Sequence, residues 1–153
     1  MKKVLAVLAV LALLLTAAFA AAEEAGGPVF QWGDQGRVQL TSVGDYSEDM
    51  KLQVNEKPKG KWIVVVLTIL DGAEMQPATA FDLAKDNITL DGVSPTQLAG
   101  RGAKINIELN QATLVGDIDA FFDVPVDYDL SKAVLKINGE EVAIPAPAEA
   151  AAE

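Results

Sequence analysis

The densest run of side chains able to do chemistry is acidic: Asp117, Asp119 and Asp123, with Asp127 and Asp129 close behind. On a strand, alternate residues share a face, so the first three carboxylates point the same way. Same-face neighbours lie about 6.6 to 6.8 Å apart, so Asp117 and Asp119 could pinch one calcium ion, whereas Asp119 and Asp123 are twice as far apart and could not. Calcium takes about six to eight oxygen ligands, so a site here would need help from a loop. No EF-hand spacing is present. The competing expectation is ordinary ion pairing across strands: if the next strand sets Asp123 opposite Lys132, then Asp119 falls opposite Lys136. Two carboxylates can also hydrolyse a glycan as an acid and base pair. With 22 acidic residues in the chain some pair always lies at a suitable distance, and no insertion large enough to wall a cleft is visible.

The rest of the catalytic inventory is thin. The 153 residues include no cysteine and no histidine. That removes thiolate and imidazole metal sites, Cys-His and Ser-His catalysis, and the commonest general base. Ser42, Ser47, Ser94 and Ser131 have no such partner, and Gly100-Arg101-Gly102 lacks the strand and helix context of a phosphate-cradling loop, so it reads as a turn. No cofactor is expected, calcium being the one alternative. Phe121 is the one large aromatic on the expected wet face of the carboxylate strand, and with Val115 it forms a candidate patch for a protein partner. The plainer alternatives are that the strand is covered there, or that Phe121 is a single surface aromatic.

These groups must be carried by strands. From Trp62 to Leu70 both alternating faces are apolar or β-branched, with Thr68 the only polar side chain. Such a run predicts a central strand covered on both sides. Val29 to Trp32 and Arg37 to Val43 flank a Gly33–Gly36 turn and read as a strand pair, with Val38, Leu40 and Ser42 on one face of its second arm. Between Gly44 and Lys57 only Met50, Leu52 and Val54 alternate, which suits a loop with a short edge strand. Ala73 to Ala80 reads as a surface loop because of Pro77, and Asp86-Asn87 as a turn between Phe81–Leu83 and Ile88–Leu90. Ala103, Ile105, Ile107 and Leu109 alternate with polar residues and predict a strand with one dry face. Thr113 to Val124 reads as one longer strand, with Gly116 marking a bulge or a close backbone approach. Asn138-Gly139 is the strongest hairpin signal, because a two-residue type I′ turn needs positive φ at both positions. It sets Ile137 opposite Glu140, Lys136 opposite Glu141 and Leu135 opposite Val142. Strands separated by turns, with no convincing amphipathic helix, predict an all-β chain of about seven or eight strands in two packed antiparallel sheets.

The ends read differently. Met1-Lys2-Lys3, an uncharged run from Val4 to Ala18, and Ala18-Phe19-Ala20 have the three parts of a Sec signal peptide over residues 1–20. Cleavage is expected after Ala20 or Ala22, leaving a polar leader at 21–27, one domain at 28–144 and a disordered Pro/Ala/Glu tail at 145–153. No cysteine stands at the cleavage point, so a secreted protein is expected rather than a lipoprotein, with no membrane span after cleavage. The net charge of −10 would fall by two more with Lys2 and Lys3. Such acidity opposes nucleic acid and anionic lipid as partners, and also serves simply to keep an exported protein soluble.

Four stretches in order resemble a known family: Arg37 to Val43, Gly60 to Ile69, Phe81 to Leu83, and Gly116 to Pro125 with its Phe-Asp-Val-Pro ending. They span residues 35–138. The family is the secreted immunoglobulin-like domain of unknown function of Gram-positive exported proteins and lipoproteins, whose fold relative is the mycobacterial immunoprotective extracellular antigen. The chain departs from it at Leu70-Asp71-Gly72, where the family often has Asn-Asn-Gly, at Asn110-Gln111, where it often has Pro-Gly, and in lacking the lipobox cysteine. The resemblance implies an immunoglobulin-like antiparallel β-sandwich and an extracytoplasmic bacterial location, and brings no catalytic residues. Together these readings predict a non-enzymatic module binding a protein or cell-envelope component. The alternative is a calcium-stabilised envelope module, and a cell-wall glycan hydrolase is the third possibility.

Overall fold

The computed structural model describes residues 27–46, 54–108 and 110–145. The expected signal peptide, nearly all of the leader, Met50 and Leu52 of the expected edge strand, Leu109, and the tail beyond Pro145 lie outside the described residues. The described chain runs β1 (Val29–Gln31), β2 (Arg37–Asp45), β3 (Lys61–Ile69), α1 (Pro77–Asn87), β4 (Ile88–Leu90), β5 (Gln97–Gly100), β6 (Ala103–Asn106), β7 (Gln111–Leu114), β8 (Asp117–Val124), a single 3-10 turn (Leu130–Lys132), β9 (Leu135–Ile137) and β10 (Glu140–Val142). Every strand pairing is antiparallel. One sheet has the order β1-β2-β3-β8-β5, the second β10-β9-β4, and β6-β7 stands apart as a hairpin.

Lettering β2, β3, β4, β5, β8, β9 and β10 from A to G gives sheets A-B-E-D and C-F-G. That is the immunoglobulin constant-type arrangement. β1 is added outside A, α1 is inserted between B and C, and the β6–β7 hairpin between D and E.

β3 is the middle strand of five and is dry on both faces, as its composition predicts. Ile63, Val65, Leu67 and Ile69 join the core between the sheets, where they meet Ile88, Leu90, Leu135 and Ile137. Trp62, Val64 and Val66 join a second apolar cluster on the sheet's outer face. In β2 the register against β3 slips between Leu40 and Ser42, so Thr41 is an extra residue. The slip turns Val43 inward in place of Ser42, which corrects the simple alternation.

The expected loop at 73–80 and turn at 86–87 are instead largely a helix. Pro77 stands at its first turn, where the missing N–H forfeits no helical bond. Ala80 and Ala84 are fully buried, and their small side chains let the helix backbone come close to the sheets. Trp32 Nε1 donates to the Ala80 carbonyl at 3.2 Å. α1 packs on β4 and β5, which are edges of different sheets, and so closes one lateral opening of the sandwich.

The expected single strand from Thr113 to Val124 is broken at Val115-Gly116. There the chain crosses the Arg101–Gly102 turn so closely that a Cβ on Gly116 would collide with the Arg101 carbonyl. The break separates β7 from β8 and lets β6–β7 leave the body of the sandwich. The β9–β10 hairpin has the expected register, with Asn138 and Gly139 at φ 54° and 80°.

Candidate functional site

Pairing of β3 with β8 sets Trp62, Val64, Val66 and Thr68 opposite Asp123, Phe121, Asp119 and Asp117 on the outer sheet face. The candidate residues therefore share a face, as alternation requires. The face is not wet, however. Phe121 is 0% exposed, edge-on to Trp62 at 6.0 Å and to Tyr46 at 6.1 Å, with Val54 and Ala99 also packed on this cluster. Val115 is half-buried in the link before β8. The exposed Phe121–Val115 patch expected from the sequence is corrected accordingly. Phe121 is a core residue of a second apolar cluster, because apolar side chains of β3 stand directly beside it.

The two carboxylates expected to pinch calcium hold an arginine. Arg101 Nε and Nη2 donate to Asp119 Oδ2 and Oδ1, both at 2.9 Å, and Nη2 also lies 2.9 Å from Asp117 Oδ2. Thr68 Oγ1 donates to Asp117 Oδ1 at 2.7 Å. All four carboxylate oxygens are thus engaged. Among the described residues no group of three or more acidic side chains converges as a metal site. Burial pushes the Asp119 carboxyl above the usual carboxylate range against the pull of Arg101, while the bond to Asp119 raises the guanidinium further.

The cross-strand pairs expected with Lys132 and Lys136 do not form. β8 lies between β3 and β5, and β9 belongs to the other sheet. Lys136 faces Glu141, as the hairpin register requires, and Thr89 on its other side. Asp123 instead accepts from the backbone N–H of Lys59 at 3.0 Å and of Gly60 at 3.1 Å, bonds that hold its carboxyl below the usual range. Asp129 pairs with Lys132 at 2.8 Å and accepts from the Ser131 hydroxyl at 2.6 Å and the Ser131 N–H at 3.1 Å, which lowers its pKa to about 2. Outside the run, Asp91 is tied to Tyr128 Oη at 2.6 Å and to Val134 N–H at 2.8 Å. These carboxylates fasten loops and edges, and none forms an open acid and base pair.

What sequence reasoning missed is the exposure of the β6–β7 hairpin. Ala103 pairs with Leu114 and Ile105 with Ala112, giving one apolar hairpin face. Leu114 is buried in the sandwich, but Ile105 is 75% and Ile107 88% exposed. Glu74 steadies the hairpin through Lys104 at 3.1 Å. The signal available was Gly100-Arg101-Gly102 and Gly116 together, since glycines at both roots of the segment permit the crossing that lifts it away.

No family model matches the chain, and neither a curated protein nor a solved structure is significantly similar to it.

Proposed function

We propose that the chain is a secreted, non-enzymatic immunoglobulin-like module that binds a protein or cell-envelope partner, and that the β6–β7 hairpin is the docking element. The observation that carries this reading is the exposure of Ile105 and Ile107 on a projecting hairpin whose polar face is fixed by the Lys104–Glu74 pair. Covering one such side chain is worth about 2 kcal/mol, which a monomer leaves unused. The export pattern of residues 1–20 and the resemblance to the secreted bacterial family support the same reading, as does the lack of histidine and cysteine. In the test, wild type and an Ile105→Asp/Ile107→Asp variant are immobilised and exposed to cell-envelope fractions. Specific retention by wild type that disappears in the variant is expected. Equal retention by both would remove the hairpin from the reading.

A further inference from the structure

The two lateral openings of the sandwich are treated differently. α1 closes the side between β4 and β5. On the opposite side, between β10 and β2, a latch stands at the hairpin end, where Asn138 Nδ2 donates to the Gln31 carbonyl at 3.0 Å. Beyond that latch β1 and the two residues before it follow β2 as far as Leu40, whose N–H donates to the Pro28 carbonyl at 3.0 Å. A groove of about 650 Å³ remains, with Val43, Leu130, Ala133, Val142 and Ile144 lining it and Glu141 at its rim.

We propose that this groove takes an extended peptide, which adds as a strand to the outer edge of β10, sets small apolar side chains over Val43, Ala133 and Val142, and brings a lysine or arginine to Glu141. The backbone fixes the mode. Ile137 and Glu140 flank the two-residue turn as a hydrogen-bonded pair, so Val142 also turns its backbone groups to β9, whereas Glu141 and Ala143 turn theirs outward. Among the described residues no backbone hydrogen bond uses those outward groups. Side chains alternate to match, with Val142 and Ile144 half-buried and Glu141 and Ala143 exposed. A free edge beside a groove for alternate side chains is what strand addition requires. Pro145, at the next outward position, has no N–H and limits the added strand to a few residues.

Charge selects among occupants. Glu140 and Glu141 are both exposed, Glu141 is the one charged residue among those lining the groove, and of the nearby lysines Lys132 is held by Asp129 at 2.8 Å while Lys136 stands opposite Glu141 on β9. A second copy of a chain with net charge −10 would bring like charge to this edge, whereas a basic peptide complements it. The site is separate from the hairpin of the proposed docking reading and does not depend on it.

The probe is a dye-labelled, end-blocked peptide Lys-Val-Thr-Val-Lys-Val, with its charge-reversed form Glu-Val-Thr-Val-Glu-Val as the control, titrated into the full chain. Saturable anisotropy and slowed amide exchange at Glu141 and Ala143 are expected for the basic peptide. Ala143→Pro removes an outward N–H that has no partner among the described residues, and should weaken binding by about tenfold or more while leaving Tm near wild type. The Ile105→Asp/Ile107→Asp variant should bind the peptide as wild type does, which separates this site from the hairpin. Unprotected amides at saturation, equal binding of the charge-reversed peptide, or undiminished binding by Ala143→Pro would each overturn the proposal. So would a dimer in sedimentation that Ala143→Pro dissolves, because the occupant would then be a second copy.

Discussion

Arg101, at the turn leaving β5, grips Asp119 of β8 through two parallel bonds of 2.9 Å, and so ties an edge strand to the strand beside it. Asp119 is 0% exposed while the arginine side chain is 45% exposed, so the two partners lose unequally when the pair is broken.

Arg101→Met should therefore destabilise the chain by about 2 to 3 kcal/mol, at or below the usual range for stranding a buried charge because the guanidinium is partly in water. Adding Asp119→Asn to that variant removes the stranded charge and should recover part of the loss. Denaturant titration of the four members of this cycle measures the coupling. Additive single effects would mean that the bidentate contact contributes little. Calcium at millimolar concentration should leave the wild-type Tm unchanged, since it would have to displace the guanidinium.

Phe121 should behave as core and not as surface. Phe121→Ala is expected to cost about 3 to 5 kcal/mol, and Phe121→Asp more, because a carboxylate would then face Trp62 and Val64 without a partner. Tyr46 and Trp62 are ring neighbours of Phe121, so the loss should also change the near-ultraviolet circular dichroism signal. A Phe121→Asp variant with wild-type Tm would contradict the buried placement.

Legibility in the sequence followed how local the deciding interaction was. The β9–β10 hairpin was readable because the turn, the register and the facing apolar pairs all lie within residues 133–144. β3 was readable because apolar side chains on both faces leave little choice but burial. Phe121 was misplaced for the opposite reason. Its own strand alternates polar and apolar, and its dryness depends on Trp62 and Val64, which arrive from β3 through pairing that residues 117–124 do not announce. α1 was missed because Pro77 and the small, weakly periodic residues after it resemble a loop until the sheets beside Ala80 and Ala84 are in place. The inverse error fell on Ile105 and Ile107: alternation specifies a face, but not whether the chain's own sheets cover it. Of the site, the sequence showed the carboxylates without the arginine that holds two of them.

Two glycines give a paired prediction. At Gly116 an added Cβ would strike the Arg101 carbonyl, a backbone atom that cannot swing aside, so Gly116→Ala should cost about 1 to 3 kcal/mol. At Gly44, within β2, a Cβ meets nothing within 4 Å and φ is not positive. Gly44→Ala should be neutral or stabilise by up to about 1 kcal/mol, through the unfolded chain. Equal Tm values for the two variants would show that the crossing at Gly116 is looser than the geometry requires.

The acid response should carry the sign of the loop carboxylates. Asp129 titrates at about 2 in the folded chain against an ordinary 3.8, through Lys132 and Ser131. The bonds to Asp91 and Asp123 lower those groups as well. A depressed folded pKa gives stability that is present above the unfolded value and lost as pH falls through the folded one. These three therefore predict a Tm that declines from about pH 4 toward pH 2. Asp119 acts with the opposite sign: its folded pKa is raised, so the folded state takes up its proton first, and stability contributed by this group falls as pH rises through the window just above 3.8. Asp129→Asn should flatten the decline below pH 4, whereas Asp119→Asn should remove the opposing component and leave wild-type steepness near pH 2. Calorimetric Tm values at closely spaced pH check both. An Asp129→Asn profile that stays as steep as wild type at the acid end would assign the decline to other carboxylates.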